Sequence, residues 1–318
     1  MNGPITAHCS SESQNRSAII ASMLKTANVN HKTAAAAISW FGSDPNIAAA
    51  PHPTGIYVDS LRRASRFYSQ VRGHDFAKIT SPTRHRDHPG MYFGRILVWT
   101  EINQKGKWLN LIEEDELPKK LWDQINIPDG AKPNYRVFNY VFDENSHTVY
   151  FEGKNEFGES FGPTTGRRLF ANLLSEQEVT GGNYDMSVTL IPDETAVDQI
   201  LDVPRLRKLV IRITRPNPDT TTSSARRRIF DELYEADAKQ VEITYTKAAG
   251  ADNLKPTPNI KHEAELAATD GFVTGFGYDI SGRKVELSTD AIPKKFTLSM
   301  DSGGSFFARL MAALRGRR

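Results

Sequence analysis

The segment Gly162-Pro163-Thr164-Thr165-Gly166-Arg167-Arg168 sets two guanidiniums just inside a helix start. Proline suits the first helical turn, and Thr164 or Thr165 can cap its free N–H groups. Cations are misplaced there if they serve only the helix dipole. A helix N-terminus with Arg167 and Arg168 therefore reads as a seat for a phosphate or another anion. The competing reading is an ordinary strand-to-helix connection whose arginines point into water.

Other basic residues also cluster: Arg62/Arg63/Arg66, Arg205/Arg207/Lys208, Arg226/Arg227/Arg228 and the tail Arg315, Arg317 and Arg318. Clustered arginine is the footprint of a protein that reads the phosphate backbone. Phe67, Tyr68, Tyr135, Tyr140 and Phe170 lie close by, as base stacking needs. Asp231, Glu232 and Glu235 balance part of this charge, which is also how ordinary surface helices look.

Carboxylates offer a different chemistry. Asp143 with Glu152-x-Lys154 resembles a metal-dependent nuclease core, where acids hold magnesium and lysine aids water attack. In antiparallel register those groups lie on the order of 20 Å apart, which is poor geometry. His74, Asp75, His85, Asp87 and His88 could gather a divalent metal. However, Arg72, Lys78, Arg84 and Arg86 share that loop and would repel a cation. The acidic run Glu113-Glu114-Asp115-Glu116 is explained by compensation of a helix dipole. The chain carries no phosphate-binding glycine loop, dinucleotide fingerprint, nucleophile elbow or zinc-protease motif. No catalytic residue, metal or cofactor is assigned.

Composition bounds these readings. The formal net charge of the 318 residues is +2, so nucleic-acid affinity has to come from local patches. Cys9 is the single cysteine, which excludes an internal disulfide framework and fits a reducing compartment. No apolar run reaches the roughly 18 residues of a membrane span, and no secretory signal opens the chain. The expectation is a cytoplasmic protein that makes no membrane contact.

Residues 1–54 are rich in Ala, Ser, Asn and Thr and read as a flexible extension. Within it 19–24 and 34–41 could form short helical turns, and 44–54 reads as a linker. Residues 55–178 read as an N-terminal α+β domain. It has a helix over 58–72, a loop over 73–89, strands at 92–101 and 107–112, a short helix at 117–125 and a hairpin over 135–152. The helix from Pro163 to Leu174 closes it. Residues 183–318 read as a C-terminal α+β domain of strand–helix units. Its strands are expected at 185–191, 207–214, 240–246, 271–278, 284–287 and 294–300, its helices at 194–200, 223–238, 259–268 and 305–314. The fold class is α+β: two mixed sheets with flanking helices, the second half ferredoxin-like or a related split β-α-β unit.

Three stretches carry a resemblance: YFGRILVWTEIN (92–103), KPNYRVFNYVFDENSHTVYFE (132–152) and FGPTTGRRLF (161–170). Through them 55–300 resembles an uncharacterised bacterial family, a domain of unknown function found in prophage and defence neighbourhoods. More remotely, FGPTT and the strand–helix–strand that follows resemble the lambda phage exclusion protein RexA. The resemblance implies an anti-phage or prophage-encoded protein that binds DNA and need not be an enzyme. It supplies no catalytic set.

The function expected is nucleic-acid binding, DNA before RNA, in phage defence. Sequence-independent phosphate contacts would come from Arg62, Arg63, Arg66, Thr164, Thr165, Arg167, Arg168, Arg226, Arg227 and Arg228. Two alternatives stay open. One is a metal-dependent nuclease. The other is a protein-interaction subunit that uses apolar surface on the 305–314 helix, with a second defence protein or another copy of this chain as its partner.

Overall fold

The computed structural model describes residues 31–42, 55–103, 106–122, 124, 127–182, 184–215, 224–298 and 305–315. The first half runs β1 (His31–Gly42), α1 (Ile56–Ala64), β2 (Ser69–Arg72), β3 (Asp75–Ile79), β4 (Thr83–Arg84) and β5 (Met91–Thr100). It continues with β6 (Leu109–Asn110), β7 (Asp115–Glu116), α2 (Lys119–Trp122), β8 (Arg136–Asp143), β9 (Thr148–Glu152), α3 (Pro163–Leu174) and α4 (Gln177–Thr180). The second half adds β10 (Tyr184–Leu190), α5 (Ala196–Leu201), β11 (Arg205–Thr214), α6 (Ser224–Glu235), β12 (Gln240–Thr246) and α7 (Pro258–Asp270). Last come β13 (Gly271–Tyr278), β14 (Lys284–Ser288), a 3₁₀ turn (Thr289–Ala291), β15 (Lys295–Leu298) and α8 (Phe306–Arg315).

The larger sheet curls into a half-barrel with strand order β10-β1-β9-β8-β5-β3-β2 and antiparallel neighbours throughout. β15 joins β1 beside β10, and β4 joins β5. On one side of it α1, α3 and α4 pack against Phe138, Tyr140, Phe142, Val149 and Phe151, all fully buried. The close approach of α3 depends on Gly166, since a Cβ there would stand 2.2 Å from the Phe151 ring. Across the sheet, α8 buries Phe306 and Leu310 against Ala35, Val141 and Leu298.

Several expectations change here. Residues 31–42 are not part of a tail, nor 34–41 helical: β1 is an interior strand of the larger sheet. Its alanine run favours helix by propensity. Ala34, Ala35 and Ala36 are nevertheless fully buried, because small side chains let layers close over both faces of one strand. The expected 19–24 turns and 44–54 linker lie outside the described residues. The 58–72 helix stops at Ala64, after which 69–72 becomes β2, while 73–89 contributes β3 and β4 rather than a plain loop. The division near 178–183 also fails, because β10, β15 and α8 return to the first sheet. The apolar stripe of α8 is spent inside the protein, so it does not offer the exposed interface expected of the 305–314 helix.

The second sheet has the order β12-β11-β13-β14. β12 and β13 both run antiparallel to β11, which lies between them. They are therefore mutually parallel, and α7 links them in a split β-α-β arrangement. α5, α6 and α7 bury Ile200, Phe230, Leu233, Ala264 and Ala267 with Leu209, Ile211, Ile213 and Val273 on one face of this sheet. Its other face is the surface of interest.

Candidate nucleic-acid interface

β13 reads Gly-Phe-Val-Thr-Gly-Phe-Gly-Tyr, and period-2 alternation divides it cleanly. Val273, Gly275 and Gly277 face the helices; a Cβ on Gly275 would meet Ile200 at 2.7 Å. Phe272, Thr274, Phe276 and Tyr278 point the other way. On β11 the register sets Arg212 opposite Phe272, Val210 opposite Thr274, Lys208 opposite Phe276 and Arg205 opposite Tyr278. A register shift between Leu206 and Lys208 inserts Arg207 as an extra residue.

Three cations thereby come to lie over three rings. The Arg212 guanidinium carbon is 4.6 Å from the centroid of Phe272, Lys208 Nζ 5.7 Å from Phe276, and the Arg207 guanidinium carbon 4.9 Å from Tyr278. Such contacts stabilise by about 0.5–1 kcal/mol each when exposed. The rings themselves are half-buried. β12 adds Gln240, Glu242, Thr244 and Thr246 to this face, all exposed, and β14 adds Lys284 and Glu286. The face carries Arg207, Lys208, Arg212 and Lys284 against Glu242 and Glu286, a local excess of positive charge in a chain that is almost neutral. Glu242 holds Arg212 laterally, with Nη2–Oε2 2.6 Å and Nε–Oε2 3.0 Å.

The residues expected to form a phosphate surface are dispersed. Arg62 pairs with Asp59 at 2.8 Å. Arg63 is a clamp: Nε donates to the Val179 carbonyl at 2.7 Å, and the guanidinium also reaches the Tyr184 hydroxyl and Ser60. Arg66 is exposed beyond the end of α1. At α3 the N-cap is Gly162, and neither Thr164 nor Thr165 caps by its side chain. Arg167 approaches Asp290 at 3.9 Å, whereas Arg168 Nη1 donates to the Val71 carbonyl at 2.9 Å. These two cations brace different neighbours instead of converging on one anion seat. Arg226, Arg227 and Arg228 fall at the start of α6, and their side chains lie outside the described residues. Of the aromatic residues expected to stack bases, Tyr140 and Phe170 are fully buried core.

The carboxylates are also separated. Asp143 sits beside the hairpin turn and accepts from Asn145 N–H at 3.0 Å and Ser146 Oγ at 2.9 Å. It pairs with Thr148, four positions before Glu152, or about 13 Å along the strand. That is nearer than the 20 Å expected from sequence and still too far for a shared ion. Glu152 is buried, accepting from Asn139 N–H at 2.8 Å and Asn139 Nδ2 at 2.9 Å. Burial pushes its carboxyl above the usual range, against those hydrogen bonds and the charge of Arg309. It floors a cleft of about 550 Å³ beneath α8, with His85, Phe93 and Phe307 on the walls. The His85 ring is stacked on Phe307 with centroids 3.9 Å apart. Among the described residues no three His, Cys, Asp or Glu side chains are grouped so as to hold a metal ion. None of the described helices is long and apolar enough to cross a membrane.

Sequence reasoning noticed Arg207 and Lys208, with Arg205, but neither Arg212 nor the three rings. The available signal was the alternation Phe-x-Thr-x-Phe-x-Tyr over 272–278, which puts aromatics on the face a two-layer sheet leaves open.

Fold and surface together define an α+β protein with a helix-packed half-barrel and a second sheet that has one basic, aromatic face. The chain belongs to the DUF4747 family, a domain of unknown function, whose model matches residues 45–314. None of the curated proteins matches the chain.

Proposed function

We propose that this protein binds nucleic acid through the open face of the β12-β11-β13-β14 sheet. The observation that carries the reading is the triple pairing of Arg207, Lys208 and Arg212 with Tyr278, Phe276 and Phe272 on one open sheet face. Cations supply affinity for phosphate without regard to sequence, and rings supply what bases can lie against. In this reading Arg63, Arg167 and Arg168 serve mainly as internal braces. The wider setting we infer is anti-phage defence in the bacterial cytoplasm, with DNA preferred to RNA. It rests on the resemblance of residues 92–103, 132–152 and 161–170 and on the single cysteine.

The test is binding to labelled nucleic acid across a salt series. Removing one phosphate contact makes the log–log slope shallower by about 0.7 for a single strand or 0.9 for a duplex. Lys208→Ala is expected to show that change and to bind a single strand about fivefold more weakly at 0.1 M salt. Failure of the unaltered protein to bind any nucleic acid at low salt overturns the proposal.

A further inference from the structure

The rings on β13 are spaced in a way that selects one form of nucleic acid. Resting on the reading above, we infer that the ligand of this face is a single strand whose unpaired bases stack on Phe272, Phe276 and Tyr278. Same-face neighbours on a strand stand about 6.8 Å apart, so Phe276 and Tyr278 are one such step apart and Phe272 and Phe276 two. Stacked bases of a duplex are about 3.4 Å apart. The two ring intervals are thus about two and four times the base interval, which suits bases pulled out of their own stack and not bases held in a helix. From Phe272 to Tyr278 the platform spans about 20 Å, room for roughly three or four nucleotides.

The shape of the surface agrees. A duplex shows its base edges only inside grooves, the major one about 8.5 Å deep. A protein reads them by inserting a helix or a ribbon. The helices of this half, α5, α6 and α7, bury their apolar residues on the opposite side of the sheet. Between the rings lie Thr274 and Val210, short side chains that leave the rings the larger groups of the face. A sheet face with no helix to insert could touch the phosphates of a duplex, but its rings would then meet no base. On a single strand every part has a use. Arg207 and Arg212 lie on their rings, and a base can stack on the guanidinium plane or displace it onto a phosphate. Lys208, whose ammonium is a compact point charge, is left for the backbone.

The experiment compares a twelve-nucleotide single strand, as DNA and as RNA, with a duplex of the same length. The unaltered protein is expected to bind at least one of the single strands about tenfold or more tightly than the duplex. Phe276→Leu keeps apolar bulk but removes the π face. It should weaken single-strand binding by about five- to a hundredfold with the salt slope unchanged. Phe276→Trp should retain the affinity and show a change in indole emission on binding, which also guards against a merely unfolded variant. Equal affinity for duplex and single strand, or Phe276→Leu binding as the unaltered protein does, overturns the inference. If Lys208→Ala still lowers the salt slope in that case, the nucleic-acid reading survives without it. If no nucleic acid binds, both fall.

Discussion

Arg212 on the open face has a competing partner, and that competition can be removed without disturbing the fold. Its guanidinium lies over Phe272 and donates sideways to Glu242, with the two side chains 36% and 43% exposed. An ion pair this exposed stabilises by about 0.2–1 kcal/mol, because water already screens most of the attraction. The same carboxylate cancels much of the charge that Arg212 could offer a phosphate. Glu242→Gln deletes that charge and keeps the size and a hydrogen-bond acceptor. One contact made fully available steepens the single-strand salt slope by about 0.7. At 0.1 M salt that amounts to about fivefold tighter binding, while unfolding free energy changes by less than about 1 kcal/mol. The assay is fluorescence anisotropy over a range of salt, with urea denaturation run in parallel. Asp59→Asn is the control: it makes the same change in net charge beside Arg62, far along the sequence on α1. The reasoning is refuted if both variants gain affinity equally, since net charge would then be acting. It is equally refuted if Glu242→Gln gains nothing.

Two further outcomes concern the half-barrel. Gly166→Ala should gain up to about 1 kcal/mol in helix propensity but lose about 1–3 kcal/mol to overpacking, since the new methyl would stand 2.2 Å from the Phe151 ring. A lower melting temperature is expected, and a higher one would show that α3 can slide off β9 at little cost. Glu152 tests the buried carboxyl. Its folded pKa is raised by burial, so the native state holds the proton longer than the unfolded chain, and stability falls as pH rises from 4.5 towards the raised value. Glu152→Gln keeps an oxygen for the Asn139 donors and should remove that part of the decline. Parallel stability–pH curves for the two proteins, measured by urea denaturation, would contradict this account.

Much of the architecture could be read along the chain. The β8–β9 hairpin, the helix beginning at Pro163 and the strands at 205–214, 240–246 and 271–278 each announce themselves by local period or punctuation. Where the reading failed, the deciding forces were not local. The run Ala34–Ala37 has no strand propensity; it is a strand because β9, β10 and β15 pair with it from both edges. The arginines failed for a related reason. A guanidinium near a helix start looks the same in sequence whether it meets a phosphate or a carbonyl. Only packing reveals that Arg63 answers Val179 and Arg168 answers Val71.

The candidate surface had no motif because its two halves lie on strands that are distant in sequence. Between the cations of β11 and the rings of β13 run α6, β12 and α7. Each strand alone reads as routine alternation, with polar residues outward on β11 and glycines inward on β13. The pairing of Arg212 with Phe272 and Lys208 with Phe276 exists through their antiparallel register. A slip of one residue would turn the rings into the helix layer and the core residues out into water. The packing of Leu209, Ile211, Ile213 and Val273 against the helices therefore fixes the register and, with it, the alignment of cations and rings. On this reading a core substitution that loosens the register, rather than one on the surface, is the more damaging way to lose the interface. The fold of the sheet and the binding proposed for it would then rest on the same set of contacts.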